Sequence, residues 1–232
     1  MDPAERPKTA LVLAGGRGER LRPLTDDRPK PMVLIAGAPI LEHQLTWLRD
    51  NGVERAFLLT GYLHNVVADY FARRRIDGLE VSCIAEQSPL GRGGAFRNGY
   101  REARLSDALV VATNGDVLTD QSLDALLRVH EERGALATLM LTRMVSPYGV
   151  VETDGGLVTG FVEKPPLDLW INAGVYLLSR QAIERFPEQG DHETLTFPAL
   201  AAEGKLAACR SDAYWKSVES PKDLAEAAAR FG

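Results

Sequence analysis

A glycine-rich loop followed by a basic cluster is the first part of this sequence whose residue types could do chemistry. The loop reads Leu13-Ala14-Gly15-Gly16-Arg17-Gly18-Glu19-Arg20-Leu21, and Lys30 follows it between two prolines. Glycines let backbone N–H groups approach phosphate oxygens closely. Prolines on both sides restrict the backbone of Lys30, which aims a single positive charge. The stretch therefore predicts a binding site for a small phosphorylated molecule.

Two common phosphate-binding loops do not match this stretch. A Walker loop needs Gly-Lys-Ser/Thr, and a dinucleotide-binding loop needs a third glycine where this chain has Leu21. A tight turn beside solvated basic residues is the simpler interpretation of a bare Gly-x-Gly, but it does not account for the whole stretch up to Met32. The loop therefore argues against a dehydrogenase or another dinucleotide-binding protein.

A single carboxylate, Asp116, follows the apolar run 108–112 and an Asn-Gly pair. At the carboxyl end of a buried strand, such a side chain suits a divalent cation that bridges phosphates. The alternative is an aspartate in a tight turn, which is a very common role. The local residues are compatible with both interpretations.

The elements that must position these residues alternate along the first part of the chain. Such alternation predicts βαβ units and a Rossmann-like, three-layer α/β/α fold with a mostly parallel, twisted sheet. The predicted strands are 9–14, 56–60, 79–85, 108–112 and 135–141, and the predicted helices are 40–50, a segment around 66–71, 94–103 and 123–132.

The second part of the chain has a different pattern. Residues 150–152 and 157–162 predict a hairpin around Asp154-Gly155-Gly156. A strand over 171–178 and a short helix over 181–186 follow, and Ser220-Pro221 predicts the start of a last helix that runs to Arg230. Because no low-complexity linker interrupts the chain, we predict one domain over residues 1–232.

Composition and charge narrow the class of protein. The 232 residues carry a formal net charge of -5, which argues against a protein that grips nucleic acid by its phosphates. The two cysteines, Cys83 and Cys209, lie far apart, so neither a disulfide framework nor a zinc site is indicated. No apolar run is long enough to span a membrane, and the first residues lack a secretory apolar region. We expect a cytoplasmic protein with no membrane partner.

Residues 13–32, read as L-A-G-G-x-G-x-R-L … R-P-K-P-M, resemble the signature of the sugar-1-phosphate nucleotidyltransferase family. The resemblance runs from about Thr9 to Asp223, and four further landmarks follow in the family's order. They are Pro89-Leu90-Gly91, Asn114-Gly115-Asp116, Phe161-Val162-Glu163-Lys164-Pro165 and Ile171-Asn172-Ala173-Gly174. The resemblance implies an enzyme with a GT-A-like fold that joins a nucleoside triphosphate to a sugar 1-phosphate, releases pyrophosphate and uses Mg2+. The sequence itself shows no hexapeptide repeat, so we expect no hexapeptide-repeat domain.

The resemblance also assigns roles along the chain. It implies a nucleotide-binding half over 9–135 and a sugar-phosphate-binding half over 136–223, with the hairpin lying over the sugar site. The implied catalytic residues are Arg20, Lys30 and Asp116. The implied nucleotide-binding residues are Leu13, Ala14, Gly15, Gly16, Gly18, Glu86, Pro89 and Gly91. The implied sugar-phosphate-binding residues are Asn114, Gly149, Glu163, Lys164, Asn172 and Gly174.

Two positions depart from the family pattern. Arg92 stands where the family usually has threonine, either to contact phosphate or to point into solvent. Ser217 stands where many members have a second metal-binding aspartate. The stretch from Trp215 also resembles the W-K-x-x-D-T of cytidylyltransferases, which would place the acid at Glu219. We therefore expect Asp116 and Glu219 to be the metal ligands.

The base and the sugar are less sharply indicated. A carboxylate at Glu86 can accept hydrogen bonds from the two donors on the edge of guanine, or from the amino group of cytosine. The motifs are most similar to mannose- or heptose-1-phosphate guanylyltransferases, so we expect GTP. Trp170-Ile171-Asn172 resembles glucose-1-phosphate cytidylyltransferases, which leaves CTP or UTP open.

Two further expectations concern partners and class. Because Ser217 stands in the place of the usual aspartate, a second hypothesis stays open, in which the chain is a catalytically weak homologue that binds a nucleotide sugar and serves as a regulatory subunit. A homodimer is expected only because symmetric pairs are common.

Overall fold

A seven-stranded sheet lies at the centre of the computed structural model, which describes residues 6–231. The first five residues and the last residue of the predicted 1–232 domain lie outside the described residues. The strands are β1 (Thr9–Leu13), β2 (Leu34–Ile35), β3 (Ala38–Pro39), β4 (Arg55–Thr60), β5 (Glu80–Ala85), β6 (Leu109–Asn114), β7 (Val117–Thr119), β8 (Ala137–Val145), β9 (Val150–Asp154), β10 (Leu157–Val162), β11 (Pro166–Ser179), β12 (Leu206–Arg210) and β13 (Trp215–Ser217). The α-helices are α1 (Ile40–Asp50), α2 (His64–Arg73), α3 (Gly91–Glu102), α4 (Leu123–Arg133), α5 (Arg180–Glu184), α6 (His192–Ala202) and α7 (Pro221–Phe231).

The strand order of the central sheet is β12-β8-β11-β6-β1-β4-β5, and β11 is its antiparallel strand. The other six strands run in one direction, so their carboxyl ends meet at one edge of the sheet. Leu13 at the end of β1 lies beside Leu59 of β4 and Asn114 of β6. This register brings the glycine-rich loop next to the segment that carries Asp116. The mixed α/β fold with a mostly parallel sheet is confirmed.

Helices cover both faces of the sheet because side chains alternate along each buried strand. On one face, Ala10 and Val12 pack with residues of α1, α2 and α4. On the other face, Leu11 packs with residues of α3, α5 and α6. A third cluster joins α7 to the short strands β2 and β7 and to Leu21. It is this cluster that anchors the end of the glycine-rich loop.

The hairpin β9–β10 forms a separate two-stranded sheet between β8 and β11. Gly155 and Gly156 make its turn with φ values of 52° and 84°, in the left-handed region that favours glycine. Val145 at the end of β8 pairs with Pro166 at the start of β11, so the hairpin leaves and rejoins the sheet at its carboxyl edge. It therefore stands at the same edge as the glycine-rich loop.

Several boundaries differ from the sequence predictions, and helix α6 and the edge strand β12 of the central sheet were not predicted. The strand predicted over 135–141 continues to Val145, and the strand predicted over 171–178 begins at Pro166. Helix α6 was not indicated by the sequence, because it contains Pro198 and is apolar around much of its circumference. Across residues 6–231, the helices are too short or too polar to cross a bilayer.

Candidate functional site

A cleft of about 440 Å³ opens at the carboxyl edge of the sheet, between the glycine-rich loop, the start of α3 and the segment after β13. Edges of this kind are where open α/β sheets bind ligands. The cleft is lined by Leu13, Gly15, Gly16, Lys30, Pro31, Leu59, Glu86, Pro89, Gly91, Arg92, Ala95, Asn114, Gly115, Asp116, Ser217 and Glu219. Ten residues of the predicted site are among them. Ala14 is fully buried behind the cleft, and Arg20 is exposed at its rim.

The glycine-rich loop is folded against the segment that carries Lys30. The backbone N–H of Lys30 donates to the carbonyl of Gly16 at 3.1 Å, and the hydroxyl of Thr25 donates to the carbonyl of Gly18 at 2.9 Å. Gly18 has a φ of 65°, and a Cβ there would lie 2.7 Å from the Cβ of Lys30. Only glycine allows this close approach, so the loop sequence sets the position of Lys30.

Lys30 connects two carboxylates in the floor of the cleft. Its ammonium Nζ lies 2.6 Å from Asp116 Oδ2 and 2.6 Å from Glu219 Oε1. Lys30 is only 8% exposed, so its charge acts in a partly desolvated environment. Arg20 Nη1 approaches the other oxygen of Glu219 at 3.4 Å. We call Lys30, Asp116 and Glu219 the charged cluster.

The pairing of two short strands, β13 and β7, places Glu219 beside Lys30. β13 pairs antiparallel with β7, and the N–H of Val218 donates to the carbonyl of Asp116 at 3.1 Å. The hydroxyl of Ser217 donates to Glu219 Oε1 at 3.2 Å. Burial acts to raise the pKa of Glu219, but the hydrogen bond and charge of Lys30 outweigh it and hold that pKa below its usual value. Glu219 is therefore an anion at neutral pH.

Glu86 stands at the other end of the cleft, beside Pro89 and Gly91. Its Oε2 accepts a hydrogen bond from the N–H of Leu90 at 3.2 Å. A Cβ at Gly61 would lie 2.5 Å from Glu86 Oε1, so the backbone of that glycine fixes the carboxylate from behind. Within residues 6–231, Oε1 has no hydrogen-bond partner, and it can accept donors from a ligand.

Three of the predicted sugar-phosphate residues lie together at the base of the hairpin and do not line the cleft. A Cβ at Gly149 would lie 2.5 Å from the ring of Phe161 and 3.1 Å from Glu163 Oε2. Lys164 Nζ approaches Glu163 Oε1 at 3.6 Å, and both side chains are substantially exposed. Lys164 has a φ of 50°, unusual for a residue with a side chain. The base of the hairpin thus presents one positive and one negative group.

The other predicted residues on this side, Asn172 and Gly174, lie behind Asn114. Asn172 Oδ1 accepts from the N–H of Gly174 at 3.0 Å, and a Cβ at Gly174 would lie 2.6 Å from Asn114 Nδ2. Asn114 itself lines the cleft, and its Oδ1 is a buried acceptor with no partner in the described part of the chain. Of this group, Asn114 is the residue that can meet a ligand directly.

The sequence analysis did not single out two acidic residues, Asp191 and Glu193, that form ion pairs with Arg92 beside the cleft. Both lie at the start of α6. Asp191 caps that helix by accepting from the N–H of Glu193 at 2.9 Å. An aspartate at the N-cap with a glutamate in the first turn is a weak helix-start signal, and it does not indicate the ion pairs with Arg92.

Residues 9–231 match the model of the protein family described as Nucleotidyl transferase. The chain belongs to this family. The mannose-1-phosphate guanylyltransferase of Mycobacterium tuberculosis (strain ATCC 25618 / H37Rv) is 39% identical over an alignment of 230 residues, which covers 95% of this chain and 63% of that protein. The catalytic subunit beta of the Danio rerio enzyme is 34% identical over 223 residues, 93% of this chain and 62% of its own length. The chain thus spans less than two thirds of these relatives.

Solved structures share the fold of this chain. The structure of HddC from Yersinia pseudotuberculosis is 28% identical, with a TM-score of 0.78 over 97% of this chain and 99% of that chain. A second HddC structure, complexed with GMP-PN, has a TM-score of 0.77. The resemblance inferred from the five sequence landmarks is confirmed.

Nucleotidyl transferases of this family generally use a divalent metal. Within residues 6–231, no group of three or more His, Cys, Asp or Glu side chains is arranged to hold a metal ion. The charged cluster offers two carboxylates, each within 2.6 Å of one ammonium. Two carboxylates completed by water and substrate phosphates are the kind of site that Mg2+ prefers. The residues present are therefore compatible with a metal that arrives together with a phosphorylated substrate.

Proposed function

We propose that this chain transfers a nucleotidyl group from a nucleoside triphosphate to a sugar 1-phosphate, giving a nucleotide sugar and pyrophosphate. The observation that carries the proposal is the charged cluster, a buried lysine between two carboxylates at the end of a glycine-rich loop. A cluster of one cation and two potential metal ligands matches a reaction between two anions, in which negative charge must be neutralised and the reacting groups aligned.

In this reaction a phosphate oxygen of the sugar 1-phosphate attacks the α-phosphorus of the triphosphate, and the bond to pyrophosphate breaks. The N–H groups of Gly15 to Gly18 and the guanidinium of Arg20 hold the triphosphate. Lys30 stabilises charge on the phosphate that reacts, because its ammonium is fixed and largely shielded from water. Asp116 and Glu219 would hold a bound Mg2+, which would supply charge neutralisation and alignment of the phosphates.

The nucleoside is proposed to be guanosine. Support comes from Glu86, whose Oε1 is free to accept from the two donors on the edge of guanine. Leu13, Pro89 and Gly91 provide the walls of this end of the cleft. The names of the relatives and the GMP-PN in the HddC structure point the same way.

The sugar is proposed to be a mannose or heptose 1-phosphate. Asn114 contacts the sugar from the cleft wall, Glu163 accepts hydrogen bonds from sugar hydroxyls and Lys164 binds the sugar phosphate, with Gly149 allowing close approach. The names of the relatives support mannose. CTP or UTP with glucose 1-phosphate is the alternative substrate pair, which Trp170-Ile171-Asn172 favours.

The test is a grid of pyrophosphate-release assays in Mg2+, crossing five nucleoside triphosphates with mannose, heptose and glucose 1-phosphates. The proposal predicts one dominant pair that contains GTP. Turnover with CTP and glucose 1-phosphate would establish the alternative pair. A folded protein that binds GTP but releases no pyrophosphate in any combination would contradict the enzyme and favour a regulatory homologue.

We further propose a cytoplasmic location, where nucleoside triphosphates are supplied and the free thiols of Cys83 and Cys209 stay reduced. No nucleic-acid or membrane partner is proposed. The homodimer stays a prediction, which the molecular mass in solution would test.

A further inference from the structure

Arg92 lines the cleft, yet its guanidinium is directed toward the start of α6. Its Nε donates to Asp191 Oδ2 at 2.8 Å, and its Nη2 lies 2.7 Å from Glu193 Oε2. One arginine therefore faces two carboxylates, and this trio carries a net charge of -1. A trio with that charge does not attract a phosphate, and a phosphate contact would require Arg92 to leave two ion pairs. The contacts therefore argue for a role other than phosphate binding.

Glu193 connects Arg92 to Asn172, because one of its carboxylate oxygens contacts Arg92 and the other contacts Asn172. Glu193 Oε1 accepts from Asn172 Nδ2 at 2.8 Å and from the hydroxyl of Tyr176 at 2.8 Å. Asn172 Nδ2 also donates to the Tyr176 hydroxyl at 2.9 Å. Tyr176 is completely buried, so the ring gives this network a rigid support. Both N–H groups of Asn172 are used within the protein, which fixes the orientation of its amide and leaves no donor for a sugar.

Asn172 in turn holds the backbone that touches Asn114. Its Oδ1 accepts from the N–H of Gly174, where φ is 71° and the backbone lies against the amide of Asn114. Asn114 Oδ1 is buried and has no hydrogen-bond partner among residues 6–231. A buried acceptor without a partner is unfavourable, and the Asn114 side chain that carries it lines the cleft. The contacts thus run without a gap from Arg92 to a side chain that lines the cleft.

We propose that Arg92 is a positioning residue for the sugar side of the cleft. Through Glu193 and Asn172 it fixes the Gly174 turn against Asn114, the cleft side chain assigned above to contact with the sugar 1-phosphate. This inference rests on the proposed nucleotidyl transfer, and it assigns Arg92 to recognition of the sugar rather than of the nucleotide.

The experiment compares the KM values for both substrates in Arg92→Thr, Glu193→Gln and the double variant. Arg92→Thr should raise the KM for the sugar 1-phosphate about tenfold, which equals about 1.4 kcal/mol of lost binding, and change the KM for the triphosphate less than about twofold. Because Arg92 acts through Glu193, the double variant should resemble Glu193→Gln alone. Arg92→Lys, which keeps the charge but not the planar fork, should restore part of the loss.

Arg101→Thr is the matched control, since Arg101 lies on the same helix and pairs with Glu188 at 3.4 Å, outside the cleft. It should change neither KM. Thermal unfolding of each variant checks the fold, and the isosteric Glu193→Gln decides the question if Arg92→Thr does not fold. A rise in the triphosphate KM alone, or no change in the sugar KM, would overturn the inference while wild-type turnover still supports the proposed function. Absence of wild-type turnover would instead reject the proposed function itself.

Discussion

Removing the positive charge from the charged cluster tests how Lys30 and the two carboxylates depend on one another. Lys30→Met keeps the aliphatic stem and deletes the ammonium that Asp116 and Glu219 share. We expect three linked results: a less stable protein, a strong loss of turnover, and a new dependence of stability on divalent metal.

The magnitude follows from the geometry of the cluster. Two unit charges 2.6 Å apart interact by about 6 kcal/mol at an effective dielectric constant of about 20, before desolvation is counted. The side chains of Asp116 and Glu219 are 20% and 41% exposed, so solvent screens much of this attraction. We therefore expect a net loss of about 2 kcal/mol, which lowers Tm by about 4–8 °C for a protein of this size. Loss of a fixed cation at the reacting phosphates should lower kcat about 100- to 1000-fold.

The assay is thermal unfolding of wild type and Lys30→Met with and without millimolar Mg2+, followed by pyrophosphate release. Mg2+ should restore most of the lost stability in the variant, because the cation neutralises the two carboxylates. Lys8→Met is the control: Lys8 also lies 2.6 Å from a carboxylate, Glu54, but at the surface, and it should shift Tm by no more than about 2 °C. A Lys30→Met protein with unchanged Tm, no response to Mg2+ and normal turnover would refute the reasoning.

Three other predictions concern separate parts of the molecule. Burial lowers the pKa of His192 from 6.5 to about 4, so the unfolded chain binds a proton at a higher pH than the folded protein does. The free energy of unfolding should therefore fall by about 3 kcal/mol as the pH drops from about 6.5 to about 4. Urea titrations of His192→Phe should lack this part of the pH dependence, and an equal slope in the variant would contradict the assignment. Glu86→Gln should lower kcat/KM for GTP about 10- to 100-fold and erase the preference for GTP over ITP, whereas an unchanged preference would remove Glu86 from base recognition. Gly18→Ala should reduce both Tm and kcat, because its Cβ would collide with Lys30. The control is Gly134→Ala, which should reduce Tm alone, since Gly134 has a φ of 54° but a Cβ there would have no atom within 4 Å. Equal kcat values in the two variants would show that the loop does not position Lys30.

The sequence predicted best those elements whose ends are marked by glycine or proline. Helix α1 has the predicted bounds, Ile40 to Asp50, because Asn51-Gly52 ends it and Gly52 adopts a φ of 88°. The turn of the hairpin falls at Gly155-Gly156 as expected. Helix α6 could not be predicted in the same way, since its apolar residues face both α3 and the sheet and leave no one-sided pattern.

The position of the cleft was predictable for a topological reason, and its finer contacts were not. Loops that follow neighbouring parallel strands must meet at one edge, which brings Lys30 and Asp116 together. The approach of Glu219 depends on the three-residue pairing of β13 with β7, which is too short to leave a pattern in the sequence. The contacts of Arg92 with α6 join residues 99 positions apart, and no local rule indicates them. The roles assigned to the individual site residues stay predictions.

The most direct test of the central claim is the stoichiometry of products formed from GTP and mannose 1-phosphate in Mg2+, measured by mass spectrometry together with a pyrophosphate assay. The account predicts equal amounts of a GDP-linked sugar and pyrophosphate, and loss of both in Asp116→Asn. Release of inorganic phosphate in place of pyrophosphate, or GTP binding without any linked product from any sugar 1-phosphate, would contradict it.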